Sequence, residues 1–363
     1  MSWTEVRAQF PSLRKWTYLN TATYGLVPLR SRRAVEAHFD RRDELACQDF
    51  LSWFDDLAVI RADIGKLIGA TGDDIAFVGN AATPLSYFLG SMDWRAGDKI
   101  ATLENEFPNQ YAYAGHLAER GVELVELTDL SLPLPRGTKA VIASSVSYTS
   151  GKRADLPRLR QLADAAGALF YVDATQSLGA LQLDIQTVRP DLLAVDAYKW
   201  MLSPNGAGFF YISPAFRKKL TPPVIGWRSD HDWRNVAALH NGAPRFPETA
   251  EKYEGGMVDF PSIYAMGESV KLMLELGPAA VESRILELTG YLTDRIAARG
   301  GDILYPDSNI LSIGFEGRDI HAIAAGLRAE KVLVSTRLSR LRISCHFYNN
   351  EQDIDALVRA LPF

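Results

Sequence analysis

The chain has 363 residues, 47% of them hydrophobic and 23% charged, with a net charge of −5. That length allows a sizeable core in one large domain or two unequal ones, and no Lys/Arg run is present to follow a phosphate backbone, so nucleic acid is not expected as a partner. No apolar run reaches the ~18 residues of a membrane-spanning helix, Met1–Phe10 lacks a signal peptide's apolar stretch, and Cys47 and Cys345 lie too far apart for a disulfide framework or thiolate metal site; a cytoplasmic protein without metal or membrane contact is the expectation.

In chain order, short apolar runs predict strands at Ile75–Gly79, Lys99–Leu103, Val122–Leu127, Ala140–Ser144, Leu169–Asp173, Leu192–Val195 and Gly208–Ile212. Amphipathic stretches lie between several of them, such as Pro157–Ala166, which opens on a proline suited to a first helical turn. Strands alternating with helices predict an α/β fold: a mostly parallel central sheet with helices on both faces. Such sheets gather ligands at the carboxyl ends of their strands. Residues 221–259 are rich in Pro, Gly, Arg and Trp and long for a plain connection. His231, His240, Arg228 and Arg245 within them are candidates for setting specificity. From about residue 260 a long helical region, Ile263 to Arg299, leads into strands near Ile310–Phe315 and Leu341–Ser344 and a last helix, Glu351–Ala360. That pattern predicts a smaller C-terminal α+β domain.

Five features carry possible chemistry. Lys199 follows the run Leu192-Leu-Ala-Val-Asp-Ala-Tyr-Lys199 at a strand's carboxyl end. It is either a solvated strand end or an amine in a desolvated pocket, where the neutral form is favoured and attacks an aldehyde. Asp173 ends Leu169-Phe-Tyr-Val-Asp173, 26 residues earlier on another strand, so the two ends can face one crevice. It is a helix cap, a metal ligand, or a carboxylate that keeps a pyridine nitrogen protonated; Gln176, three residues on, is placed to reach a ring hydroxyl. Gly79-Asn-Ala-Ala-Thr83 opens a helix and is either an anion cradle or an ordinary turn capped by Asn80. Phe107, in Glu104-Asn-Glu-Phe107-Pro-Asn109, is core or a stacking partner for an aromatic ring. Arg342, alternating with apolar neighbours, is a surface ion pair or a bidentate carboxylate clamp.

The stretches Val172-Asp-Ala-Thr-Gln176, Ala197-Tyr-Lys-Trp200 with Pro204-Asn-Gly-Ala-Gly208, and Arg342-Ile-Ser-Cys-His-Phe-Tyr-Asn349 together resemble the class V aminotransferases. These are pyridoxal 5′-phosphate (PLP) enzymes that include cysteine desulfurases, selenocysteine lyases and isopenicillin-N-epimerase-like proteins. The resemblance runs from Tyr18-Leu-Asn-Thr-Ala-Thr-Tyr-Gly25 to Asn349. It implies a fold-type I homodimer acting on a small amino-acid substrate, with an N-terminal arm over residues 1–19 packing on the small domain, a large PLP-binding domain over 20–260 and the small domain over 261–363. It further implies that Lys199 forms a Schiff base with the cofactor and shuttles protons. Asp173 and Gln176 would meet the ring, Phe107 would stack on it, and Ala82, Thr83 and Tyr198 would contact the phosphate. Arg342, with Asn20, would hold the substrate carboxylate.

Two departures from the pattern are informative. Asp196 stands where many relatives place Ser or Thr beside the phosphate. Glu330–Leu341 lacks the nucleophilic cysteine that desulfurases carry on a loop before the arginine, and Cys345 reads as core. Transamination or β-elimination is therefore the leading expectation. Racemisation or epimerisation, desulfurase-like activity without the loop cysteine, and a non-catalytic PLP-fold binding protein are the alternatives.

Overall fold

The computed structural model describes residues 1–363. Its centre is a seven-stranded sheet in the order Ile75–Val78, Gly208–Ile212, Leu192–Asp196, Leu169–Asp173, Thr138–Ser144, Lys99–Leu103, Glu123–Leu127. Gly208–Ile212 alone runs antiparallel to its neighbours. The others are parallel to one another, as the alternation of strands and helices predicts. Both faces are covered, which is why these strands read as nearly unbroken apolar runs. On one face Val141, Val172, Leu193 and Val195 pack with Leu57 and Ile64 of the Phe50–Ile68 helix, Leu159 of Leu156–Ala166 and Met266 of Phe260–Leu276. The other face sets Ile142, Tyr171, Leu192 and Ala194 against Leu85 and Phe88 of the Ala82–Gly90 helix and Leu117 of Pro108–Ala118.

The C-terminal unit has a separate core. Four antiparallel strands, in the order Ser335–Arg337, Arg340–Ile343, Leu311–Phe315, Gly301–Ile303, pack Leu311, Ile313 and Leu341 on Leu288, Leu327 and Leu357 of three helices. The chain's start is tied to this unit. Thr17–Tyr18 pairs in parallel with Val332–Leu333, Leu19 enters the same core, and Arg7 meets Asp353 at 2.7 Å.

The helical region expected to run from Ile263 to Arg299 is two helices, Phe260–Leu276 and Pro278–Ala297. Gly277, at φ 85°, ends the first, and Pro278 has no N–H to continue its ladder. Residues 221–259 hold only the short turns Trp227–Ser229 and Ala250–Tyr253. No helix is long and apolar enough to cross a membrane.

Candidate active site

A crevice opens where four parallel strands end, lined by Phe107, Ser144, Tyr148, Asp173, Gln176, Asp196 and Lys199, with Asn109 and Thr175. Lys199 lies three residues beyond the Leu192–Asp196 strand and is only 6% exposed. Its backbone is clamped from the N-terminal segment: Gly25 donates its N–H to Tyr198 O at 2.9 Å, and a Cβ on Gly25 would fall 1.9 Å from Lys199 O, so only glycine fits. The Lys199 ammonium is 5.3 Å from the Phe107 ring centre and makes no ion pair. Burial lowers its pKa, with Arg342 and Arg337 adding to that, while Asp173 and Asp196 oppose it. A buried amine without a carboxylate partner is suited to attack as the neutral base.

Asp173 is 7% exposed and accepts one hydrogen bond, from the Thr175 N–H at 2.9 Å. Burial raises its pKa, offset by the Thr175 bonds and by Lys199. No guanidinium or ammonium sits against it, and no three His, Cys, Asp or Glu side chains lie together as a metal site. Gln176 is oriented by two partners. Its Nε2 donates to Ala22 O at 3.1 Å and its Oε1 accepts from Trp200 Nε1 at 3.0 Å, which leaves one amide hydrogen for the crevice. Phe107 meets Tyr148 edge-on at 5.2 Å.

Arg342 is neither on the surface nor in an ion pair. At 1% exposed, it donates to Ser335 Oγ at 3.0 Å, Tyr148 O at 2.7 Å and Thr23 Oγ1 at 2.5 Å. Burial, then Arg337, pushes it down to about 9. Asn20 stands behind it, because its Oδ1 accepts from Thr23 Oγ1 at 2.8 Å.

The remaining expected residues stand back from the crevice wall. Asn80 is not the N-cap; Ala81 holds that position, while Asn80 Oδ1 accepts from Thr83 N at 3.1 Å. Thr83 lines an adjoining cavity with Gly79, Gly206 and Met257, and Ala82 starts the helix beside it. Tyr198 packs on Tyr24 at 5.0 Å, and burial pushes its phenol up to about 12. The specificity role expected for the 221–259 segment does not fall on Arg228, which is 0% exposed, locked to Glu251 and Glu254 and laid over Phe54. Arg245 is bound to Asp230, and neither His231 nor His240 lines the crevice.

Two acids gain a meaning that their sequence position did not give. Asp196 Oδ1 accepts the Ala81 N–H at 2.8 Å, and burial, then Asp173, pushes it up to about 6. Glu106 is 6% exposed and accepts from Ser144 N at 2.7 Å and Ser144 Oγ at 2.5 Å, with Gln110 at 3.3 Å. Burial pushes it up to about 7. The Glu104–Asn109 motif contained this signal, an acid amid residues expected to be interior, but its partner Ser144 comes from another strand.

Residues 53–357 match the family model described as Aminotransferase class-V. The chain belongs to this family. As a class V aminotransferase it is a PLP-dependent enzyme with the fold-type I architecture. It is 24% identical to a probable cysteine desulfurase of Methanothermobacter thermautotrophicus, across 98% of this chain and 96% of that one. It is 26% identical to the isopenicillin N epimerase of Streptomyces clavuligerus, across 99% and 97%. Among solved structures, a cystine C-S lyase in complex with its product cysteine persulfide superposes with a TM-score of 0.87 at 22% identity, across 98% of this chain and 100% of that one. A cysteine desulfurase from Thermococcus onnurineus NA1 gives 0.86 at 19%, across 98% and 96%.

Proposed function

We propose that the crevice holds PLP on Lys199 and that the enzyme transfers the amino group of an α-amino acid or eliminates its β-substituent. The carrying observation is the pairing in one crevice of a buried amine and a buried carboxyl, Lys199 and Asp173, each without an ion-pair partner of its own. The donor set fits the group: Phe107 offers an aromatic face 5.3 Å from the amine, and the Ala82–Gly90 helix presents its N-terminus nearby.

Bound PLP supplies an electron-accepting ring that stabilises negative charge at the substrate Cα. The chain's residues do the rest. Asp173 would meet the ring nitrogen and, as a carboxylate, keep it protonated. Lys199 Nζ, released when the substrate amine replaces it on the cofactor, would take the proton from Cα and return it further along. Arg342 holds the α-carboxylate by its guanidinium, oriented by Ser335, Tyr148 and Thr23.

Persulfide transfer is disfavoured by the fold. Ser335–Arg337 and Arg340–Ile343 are joined by Leu338 and Ser339 alone, which leaves no loop to carry a thiol. Cys345 is 0% exposed and pushed up to about 12 by burial. A homodimer is part of this proposal, supported by exposed Val224, Ile225, Trp227 and Met257 in the 221–259 segment.

The test is to load purified protein with PLP, reduce with borohydride and map the modified peptide. The pyridoxyl group is expected on Lys199; wild type that takes up no cofactor overturns the reading. A panel of amino acids, with and without keto acids, then separates the reactions. Keto-acid-dependent turnover indicates transamination, ammonia with a keto-acid product indicates elimination, and inversion at Cα without net product redirects the assignment to epimerisation.

A further inference from the structure

One face of the small sheet carries three arginines. Ser335 and Arg337 are two residues apart on one strand and so leave the same face. The cross-strand pairs Ser335↔Arg342 and Arg337↔Arg340 put Arg342 and Arg340 on that face as well. Arg340 is neutralised by Asp302 at 2.8 Å. The other two are not. Arg342 is held by three uncharged oxygens, and Arg337 donates only to the carbonyl of Thr336, at 2.7 Å. That face adjoins the crevice at Arg342, which donates to the carbonyl of Tyr148, a residue that lines the crevice with Lys199. Arg337 is close enough that its charge disfavours the protonated forms of both Lys199 and Arg342.

The hairpin holds Arg337 at a cost. Leu338 and Ser339 form its two-residue turn with φ of 47° and 58°, a conformation that Asn-Gly adopts readily and a leucine does not. The two-residue turn fixes the Arg337↔Arg340 register. A half-buried cation kept beside another cation, with no acid on either, has a use when an anion arrives.

We propose that Arg337 is a second anion-binding residue and that the substrate is an α-amino acid with an acidic side chain. Its α-carboxylate sits on Arg342 and its distal acid on Arg337. This inference rests on the PLP reading above and names the substrate class of that site.

The test uses PLP-loaded enzyme and the change in cofactor absorbance on titration with L-aspartate against L-asparagine and L-glutamate against L-glutamine. In at least one pair the acid is expected to bind ten times or more tighter than its amide. R337A and R337Q are expected to abolish that preference by weakening the acid and not the amide, and R337K to restore part of it. Loaded wild type with no preference in either pair overturns this inference alone, as does a variant that weakens acid and amide equally. Failure to load PLP overturns the reading beneath it instead.

Discussion

Asp196 accepts the backbone N–H of Ala81 at 2.8 Å, so a carboxyl occupies a donor at the entry to the Ala82–Gly90 helix. A helix N-terminus favours an anion, and here the chain supplies one beside the place proposed for the cofactor phosphate. Burial and Asp173 raise its pKa to about 6, so the group is neutral below that pH and repels a phosphate above it. Asp196→Asn keeps an oxygen for Ala81 and removes the charge. The ratio of PLP affinities, variant over wild type, is expected near one at pH 5 and to rise about tenfold by pH 8. Comparing the two proteins at each pH cancels the phosphate's own titration. A ratio that stays flat with pH sinks the idea.

Lys199 is desolvated without an ion pair, so its loss is expected to cost the apoprotein no stability. Its folded pKa is lowered, so the unfolded chain binds more protons and Lys199's contribution to stability grows as pH rises toward the usual lysine range. Thermal melts of the apoproteins are expected to show Lys199→Ala at or above wild type at pH 7, with the gap closing by pH 10. After PLP loading and borohydride reduction the variant is expected to carry no pyridoxyl group on the peptide that contains position 199. A variant that melts well below wild type at pH 7 identifies Lys199 as structural.

Arg342→Lys keeps a charge but loses the fork that meets Ser335, Tyr148 and Thr23 together. Spectral titration is expected to show amino-acid binding weakened about 10- to 100-fold with PLP uptake unchanged. Arg342→Ala also strands the Tyr148 carbonyl and is expected to destabilise the fold by about 2 kcal/mol. Equal loss of cofactor and amino-acid binding in the lysine variant would assign Arg342 to the framework.

Glu106 keeps its proton to about pH 7 in the folded chain, against a normal 4.5. The folded state therefore binds more protons than the unfolded one between those values, and stability is lost as pH rises through that window. Glu106→Gln retains partners for Ser144 N and Oγ and removes the charge. Urea denaturation is expected to show the variant gaining on wild type between pH 5 and pH 8, by about 2 to 3 kcal/mol. Parallel pH profiles for the two proteins would place the ionisation elsewhere.

Much of the fold was legible because parallel strands buried on both faces announce themselves as apolar runs, and those at Lys99–Leu103, Leu169–Asp173 and Gly208–Ile212 have the bounds expected. Asp173 and Lys199 were legible for a related reason: a charge that closes such a run sits where the sheet ends. What stayed hidden depends on contacts distant in sequence. The burial of Glu106 is defined by Ser144, 38 residues away, and Arg337 acquires its direction only from the hairpin partner that sets its face. The break at Gly277 was written locally, in a Gly-Pro pair, but a continuous apolar period across it masked the signal.

The bond from Arg342 to Thr23 joins positions 319 residues apart, and Thr17–Tyr18 already needs Val332–Leu333 as its strand partner. The crevice therefore cannot close while the chain is still being made. The ribosome must release the chain through Arg342 before Thr23 finds its partner there. Capture of the cofactor in its final geometry is then an event that follows synthesis, and a nascent chain stalled before its last strand holds the lysine without the clamp.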